Sequence, residues 1–527
     1  MRILGAVAVC ATLAVSLAGA LDTGLAHGAQ LIRTFRVAPP GVDPNGPSGQ
    51  PSIAGNGRYV AFSSVASNLG PVLGTRRISN VYLFDFLSGR ATLISSGLNG
   101  GGGNAASSTP SVSADARVVV FASRATNLVA GTTKRINDVF VRVGAGPVRL
   151  LSVGFGGVQP DGESTQPVVS ANSRYVAFAS RADDLVAGDD NASSDVFVVD
   201  LLTGSIKRVS VSSTGAQANG DSTSPSISAD GRLVSFTSTA SNLVPGDHNH
   251  VADVFIHDMV TGRTVRVSVS SSGQEQNASV TAPFIQASGV SGTGRYIVFD
   301  SNASNLVAGA GGHANVFRHD LITGQTTLVS RAPSGAQGNN DSFYPATSAD
   351  GQVTVYESFA DNLASPWTPN ENVFAQDMAM NATLTADVAP DGTARGPELD
   401  AQLLQQAAVS ADGQSMAFTS GASNLVANDH NGTDDVFVRV IKAPRTSFVQ
   451  PPPLLTTDRR PLVEFRGSSD LATLGICQLD GRRQACPVNQ LFRLPALTPG
   501  PHSLTVFSAA PGTLYDPKGA TVNFTEL

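Results

Sequence analysis

Ala182-Asp183-Asp184-Leu185-Val186-Ala187-Gly188-Asp189-Asp190-Asn191-Ala192-Ser193-Ser194-Asp195-Val196-Phe197 is the stretch whose recurrence decides the fold. Its Asp-Leu pair returns, as Asn-Leu or Asp-Leu, at Leu69, Leu128, Leu185, Leu243, Leu306, Leu363 and Leu425, at intervals of 57 to 63 residues. An aromatic ahead of it keeps step: Phe62, Phe121, Phe178, Phe236, Phe299, Tyr356 and Phe418. So does one behind it: Tyr82, Phe140, Phe197, Phe255, Phe317, Phe374 and Phe437. Three markers sharing one period identify an internal repeat, and a period of this size belongs to repeat architectures.

Within a unit, apolar residues alternate with a period of two, which predicts strands. In the fourth unit, residues 225–228 form a short strand A and Leu233 to Ser238 strand B, joined by Ala229-Asp230-Gly231-Arg232 as a tight turn. The marker stretch is a long loop. Val254 to Asp258 is strand C, residues 261–263 turn, and residues 264–269 are strand D. Four antiparallel strands repeated radially describe a propeller blade. The seventh unit ends after its strand C at Val440, whereas Leu31-Ile32-Arg33-Thr34-Phe35-Arg36-Val37 is a strand D with nothing before it. Seven blades balance if this N-terminal strand completes the last one. That arrangement also removes an exposed sheet edge.

Ser228-Ala229-Asp230-Gly231-Arg232 followed by Phe236, and Asp253-Val254-Phe255-Ile256-His257-Asp258 followed by Thr261-Gly262, resemble the WD-repeat-like propeller repeat of the TolB family. The resemblance covers residues 30 to 441. It implies a propeller fold and carries no partner with it, because TolB has an α/β domain and six blades. Residues 442–455, which include Pro451-Pro452-Pro453, are expected to be a stiff linker. Beyond it, Cys477-Gln478-Leu479-Asp480-Gly481 with Cys486, and Leu497-Thr498-Pro499-Gly500-Pro501-His502-Ser503-Leu504-Thr505-Val506, are similar to bacterial immunoglobulin-like repeats. The expected fold class is therefore all-β: a seven-bladed propeller over 30–441 and a small immunoglobulin-like sandwich over 456–527.

Arg2 and the apolar run to Ala20 predict a signal peptide within residues 1–28, with Ala18-Gly19-Ala20 or Ala26-His27-Gly28 as the cleavage site. Export leaves Cys477 and Cys486 as the remaining cysteines of three. Across so short a loop a disulfide contributes roughly 2–3 kcal/mol; two free thiols are the alternative. The net charge of −7 with scattered basic residues gives no footprint for nucleic acid. No later apolar run is long enough for a membrane span. The expectation is a secreted or extracytoplasmic monomer.

Three B–C loops carry Asp-x-Asn-x-x-x-Asp: Asp189, Asn191 and Asp195; Asp247, Asn249 and Asp253; Asp429, Asn431 and Asp435. Alternating oxygens in a loop can begin a calcium cage, but there is no closing Glu, and four units lack the pattern. A polar turn is the plainer reading. Asx side chains bonding local backbone likewise account for Asp138, Asp195, Asp253 and Asp435, and for Asn80, Asn315 and Asn372 in the other units. His257 and His319 fall at equivalent positions, so their parity is architectural. There is no Gly-x-Ser-x-Gly elbow and no phosphate loop. No catalytic residue or cofactor is assigned.

The A–B and C–D turns are tight and the B–C and D–A loops long. The face bearing the long loops is the expected working face. A protein- or glycan-binding scaffold, with an extracellular or envelope protein or glycan as partner, is the first functional expectation. A calcium-assisted propeller enzyme, a glycan hydrolase or lyase or a lactonase, is the alternative. Raised-pKa carboxylates clustered at the channel mouth would favour the enzyme.

Overall fold

The computed structural model describes residues 34–70, 77–278, 288–379, 381–390, 392–396, 407–441, 446–467, 474–509 and 520–527. The expected signal peptide, residues 31–33 of the closing strand and residues 442–445 of the expected linker lie outside them.

Seven four-stranded antiparallel sheets succeed one another, and together they form a seven-bladed propeller. Blade one is Ser48–Ile53, Tyr59–Ser64, Asn80–Asp85 and Arg90–Leu93. Blade two is Ser107–Val112, Val118–Ser123, Asp138–Val143 and Val148–Leu150; blade three is Ser164–Val169, Tyr175–Ser180, Asp195–Asp200 and Ile206–Arg208. Blade four is Ser222–Ile227, Leu233–Ser238, Asp253–Asp258 and Thr264–Arg266; blade five is Ser288–Val290, Tyr296–Ser301, Asn315–Asp320 and Thr326–Leu328. Blade six is Ser342–Thr347, Val353–Ser358, Asn372–Asp377 and Ala382–Thr385. In blade seven Ala408–Val409, Ser415–Ser420 and Asp435–Val440 are joined by Thr34–Arg36, the expected N-terminal strand D. Thr34 pairs with Arg439, Phe35 with Val438 and Arg36 with Phe437. The A strands of neighbouring blades touch in order, including those of blades seven and one.

The marker aromatics form the core. Each blade buries one B-strand ring against one C-strand ring, with centroids 5.7–5.9 Å apart. Burying a ring contributes about 1.5–3 kcal/mol, so fourteen of them need no ligand to explain them. Gly231 shows why the A–B turn holds a glycine. It has φ +79°, and a Cβ there would stand 2.0 Å from the Tyr175 ring of blade three.

The recurring Asn/Asp before the marker leucine is a clasp. In blade four the Asn242 side chain accepts from the Asn219 N–H (3.0 Å), and Asn219 accepts from the Ser241 N–H (2.9 Å). This ties the D–A loop to the B–C loop. Asn45 with Asn68 and Asn104 with Asn127 repeat it. Blade three alone among these uses two acids, Asp161 and Asp184. Burial and the adjacent Asp161 hold the Asp184 carboxyl above its ordinary value. A raised carboxyl gives up stability as pH rises. Asp184→Asn is therefore expected to stabilise the propeller at neutral pH, by no more than about 0.5 kcal/mol because solvent screens the pair. Calorimetry should show the gain vanish below about pH 3, where the carboxyl is protonated in both states.

The C-terminal module has two sheets, one of three strands and one of five. Thr446–Gln450 is a strand paired with Leu462–Gly467. The stretch expected to be a linker therefore contributes an edge strand, because Phe448 packs against the module's core. Val463, Phe465, Cys477, Leu494, Leu504, Val506 and Phe524 fill the space between the sheets. The Cys477–Cys486 disulfide is formed, with Cα atoms 5.9 Å apart. It lies along one hairpin of the five-stranded sheet rather than bridging the two sheets as an antibody-type bond does.

Candidate ligand-binding site

The position just before the last serine of strand B is occupied in order by Ser63, Ala122, Ala179, Thr237, Asp300, Glu357 and Thr419. Blades five and six place acids where every other blade has a small residue. Both side chains are fully buried. Blade five's strand B packs on blade six's strand A, so Asp300 faces the Tyr344 region and Glu357 lies one blade further on. Glu371, half-buried at the end of the B–C loop, is within hydrogen-bonding reach of the Glu357 carboxyl. Burial first, then the Glu371 carboxylate, pushes Glu357 well above the usual carboxylate range. Burial and the carboxylates of Glu357, Asp300 and Glu371 push the Tyr344 hydroxyl up to about 12.

Behind the pair lies a second departure from the repeat. At the end of strand D, Ser95, Ser152, Ser210, Ser268 and Ser330 accept a strand-C N–H through their hydroxyls. In blade six the acceptor is Asp387, bound to the Val373 N–H at 3.1 Å. Burial lifts Asp387 to about 6, although Arg395 lies 2.8 Å away and both side chains are buried. Arg439, fully buried on blade seven, donates to the Ala386 carbonyl next to it.

In front of the pair is an aromatic group. Phe343 lies 4.8 Å from Tyr344 and 5.7 Å from Phe359 between ring centroids. Phe359 and Trp367 of the same B–C loop are each about two-fifths exposed, at 41% and 42%. Tyr344 occupies the strand-A bulge, at φ 55°, where blades one and three have Gln50 and Gln166. There Gln50 and Gln166 are spent on the next blade, accepting from the Thr109 and Ser224 N–H groups. Asp300, Glu357, Glu371, Tyr344, Phe359 and Trp367 lie at the B–C/D–A end of their blades. The strand-A residues are mostly small, blade six with Phe343 and Tyr344 being the exception, and the acids come from strand B and the loops. In the sequence Asp300 and Glu357 stand out only against the equivalent column of the other units, not by any pattern within their own blades.

The nine Asp-x-Asn residues do not form that site. In blade three the Arg208 guanidinium stands 2.9 Å from Asp189 and 3.5 Å from Asp195, and Asn191 donates to Asp195. In blade four Arg266 stands 3.1 Å from Asp247 and 3.3 Å from Asp253, and Asn249 donates to Asp253. In blade seven Arg36 stands 3.4 Å from both Asp429 and Asp435, and Asn431 donates to Asp435. A guanidinium nitrogen thus stands among the carboxylates of each of the three loops. The strand-C residues expected to bond local backbone do so in part. Asn80, Asn315 and Asn372 donate to nearby carbonyls, and strand-D serine hydroxyls donate to Asp138, Asp195 and Asp253 and to Asn80 and Asn315 as well. His257 and His319 are buried on Thr264 and Thr326 hydroxyls at 2.9 Å, and burial lowers His257 to about 4.

No helix among the described residues is long and apolar enough to cross a membrane. No protein family matches the chain, and no curated protein does. Solved structures are similar to it in fold. An oligogalacturonate lyase from Vibrio parahaemolyticus is 11% identical with a TM-score of 0.49, over 79% of this chain and 95% of that one. A protein designated TolB from Agrobacterium tumefaciens is 14% identical with a TM-score of 0.33, over 52% of this chain and 78% of that one. An acylaminoacyl peptidase is 9% identical with a TM-score of 0.43, over 80% of this chain and 58% of that one. The assignment to the seven-bladed propellers rests on the seven sheets themselves.

Proposed function

We propose that this chain is an extracytoplasmic propeller that binds a hydroxyl-rich ligand, a glycan, at the B–C/D–A end of blades five and six. The observation that carries the reading is the break in the repeat: Asp300 and Glu357 are buried acids where the other blades have Ser, Ala or Thr. The corresponding positions of the other five blades show that the fold does not need an acid there. A carboxyl that keeps its proton beside a carboxylate offers a donor and acceptors together, which suits sugar hydroxyls. Half-exposed rings such as Phe359 and Trp367 provide apolar surface for a sugar's C–H face. The C-terminal module, read as immunoglobulin-like, would serve as spacer or second contact.

Calorimetric titration of the full chain against neutral and acidic oligosaccharides tests this. A binder is expected whose affinity falls roughly 10- to 100-fold in Glu357→Gln and in Tyr344→Ala, one to two lost hydrogen bonds or stacking contacts. Leu202→Ser, in an exposed C–D turn, is expected to change nothing. Equal loss in all three variants, or none, would contradict the placement. The raised Glu357 carboxyl also favours a second reading, in which it donates a proton to a glycosidic oxygen. New reducing ends released by the wild type and not by Glu357→Gln would select that reading over simple binding.

A further inference from the structure

The three arginine-filled loops share more than a salt bridge. One nitrogen of the guanidinium sits among the carboxylates. The other donates to the carbonyl just before the first Asp of the motif: Gly188 at 3.0 Å, Gly246 at 3.1 Å and Asn428 at 3.4 Å. A residue from the next D–A loop completes the cluster. In blade four it is Glu275, 3.0 Å from Arg266; in blade seven it is Asp43, 2.5 Å from Arg36; in blade three it is Gln217, bonded to Asp189 at 3.2 Å. The arginine occurs only where the acids do. At its place in strand D the other blades have Leu93, Leu150, Leu328 and Thr385, and their B–C loops lack the motif. Carboxylates and a backbone carbonyl converging on one point are oxygen ligands of the kind a hard cation takes. In blade seven a ligand oxygen from each of Asp43, Asp429 and Asp435 lies within 4.8 Å of the others. One Asp435 oxygen has no hydrogen-bond partner among the described residues. The blade-three and blade-four equivalents take Ser210 and Ser268 hydroxyls there, and Ala38 stands in the serine's place.

We propose that these loops are cation sites in which the chain supplies its own cation, and that removing the arginine exposes a site for a divalent metal ion. A guanidinium covalently tied to strand D joins strand D to the B–C loop whatever the metal concentration outside the cell. In blade seven the strand it ties comes from the far end of the chain, so Arg36 acts as the lock of the ring.

The test compares wild type with Arg266→Ala and Arg208→Ala, each titrated with calcium chloride and manganese chloride, with melting followed in chelator and in metal. Wild type is expected to melt alike in both and to bind no ion in these loops. Arg266→Ala is expected to melt about 5 °C or more lower in chelator, as unpaired buried acids require. It should recover with calcium and bind one manganese ion by spin resonance. Adding Asp253→Asn should abolish that binding, and Arg266→Lys should keep the wild-type melting point without metal. Arg208→Ala, with two carboxylates rather than three, should bind more weakly. Saturable calcium binding by the wild type that Asp253→Asn removes would overturn the proposal. So would folded Arg266→Ala and Arg208→Ala proteins that bind neither ion.

Discussion

A chain beginning at Pro39 is expected to lose cooperative melting and to associate, whereas one beginning at residue 31 melts as the full chain does. The first lacks Thr34–Arg36, which pairs with Asp435–Val440. It also lacks Val37, which is buried with Val436 and Val438 and donates its N–H to the Val436 carbonyl at 2.8 Å. Burying one such side chain contributes about 1.5–3 kcal/mol. Removing Arg36 leaves Asp429 and Asp435 buried without their counter-charge, at about 3–5 kcal/mol. The combined loss, at least about 5 kcal/mol, is comparable to the net stability of a domain. The uncovered edge of Asp435–Val440 is then free to pair with another chain. Calorimetry and light scattering on the two truncations decide the matter; coincident, monomeric melts would refute the closing role of the N-terminal strand.

The second large effect concerns pH. Asp138, Asp189 and Asp387 are raised to about 6 and Asp435 to about 7, each by burial first. Glu357 is raised further. In the folded state these groups keep protons that the unfolded chain has released, so their contribution is full below about pH 4 and declines as pH rises through their folded values. Asp258 and Asp320 are shifted the opposite way by Arg232 and Arg295, and their contribution is lost as pH falls below the usual carboxylate range. The melting temperature is therefore expected to peak near pH 4–5 rather than at neutrality. Glu357→Gln removes the largest single slope. At pH 7.5 it should stabilise the chain by about 1–3 kcal/mol, the penalty of a poorly paired buried polar group, while weakening glycan binding. A variant equally stable at both pH values, or less stable at 7.5, would show that Glu357 is a structural member of the blade.

Much of this was legible because repetition is a local signal. Phe236 and Phe255 announce a buried pair by their spacing, and Val440 ending without a strand D announces that Thr34–Arg36 must supply it. The clasp was less legible. Asn219 and Asn242 are separated by a whole hairpin, and their partnership is set by where two loops meet. The Arg208–Asp189 and Arg266–Asp247 locks are obscure for the same reason, although the arginines and the motif occur together across the blades. Glu357 and Asp387 were hidden by their ordinary surroundings, since a single acid in a strand looks like any exposed alternation until its burial is known.

The sequence by itself determined the blade, its number and its closure, because each rests on periodic apolar burial that any compact arrangement must satisfy. Only the tertiary structure decided what the acids do. A carboxylate's role depends on which charge or dipole shares its space, and that neighbour comes from another strand, loop or blade: Arg36 for Asp429 and Asp435, Glu371 for Glu357.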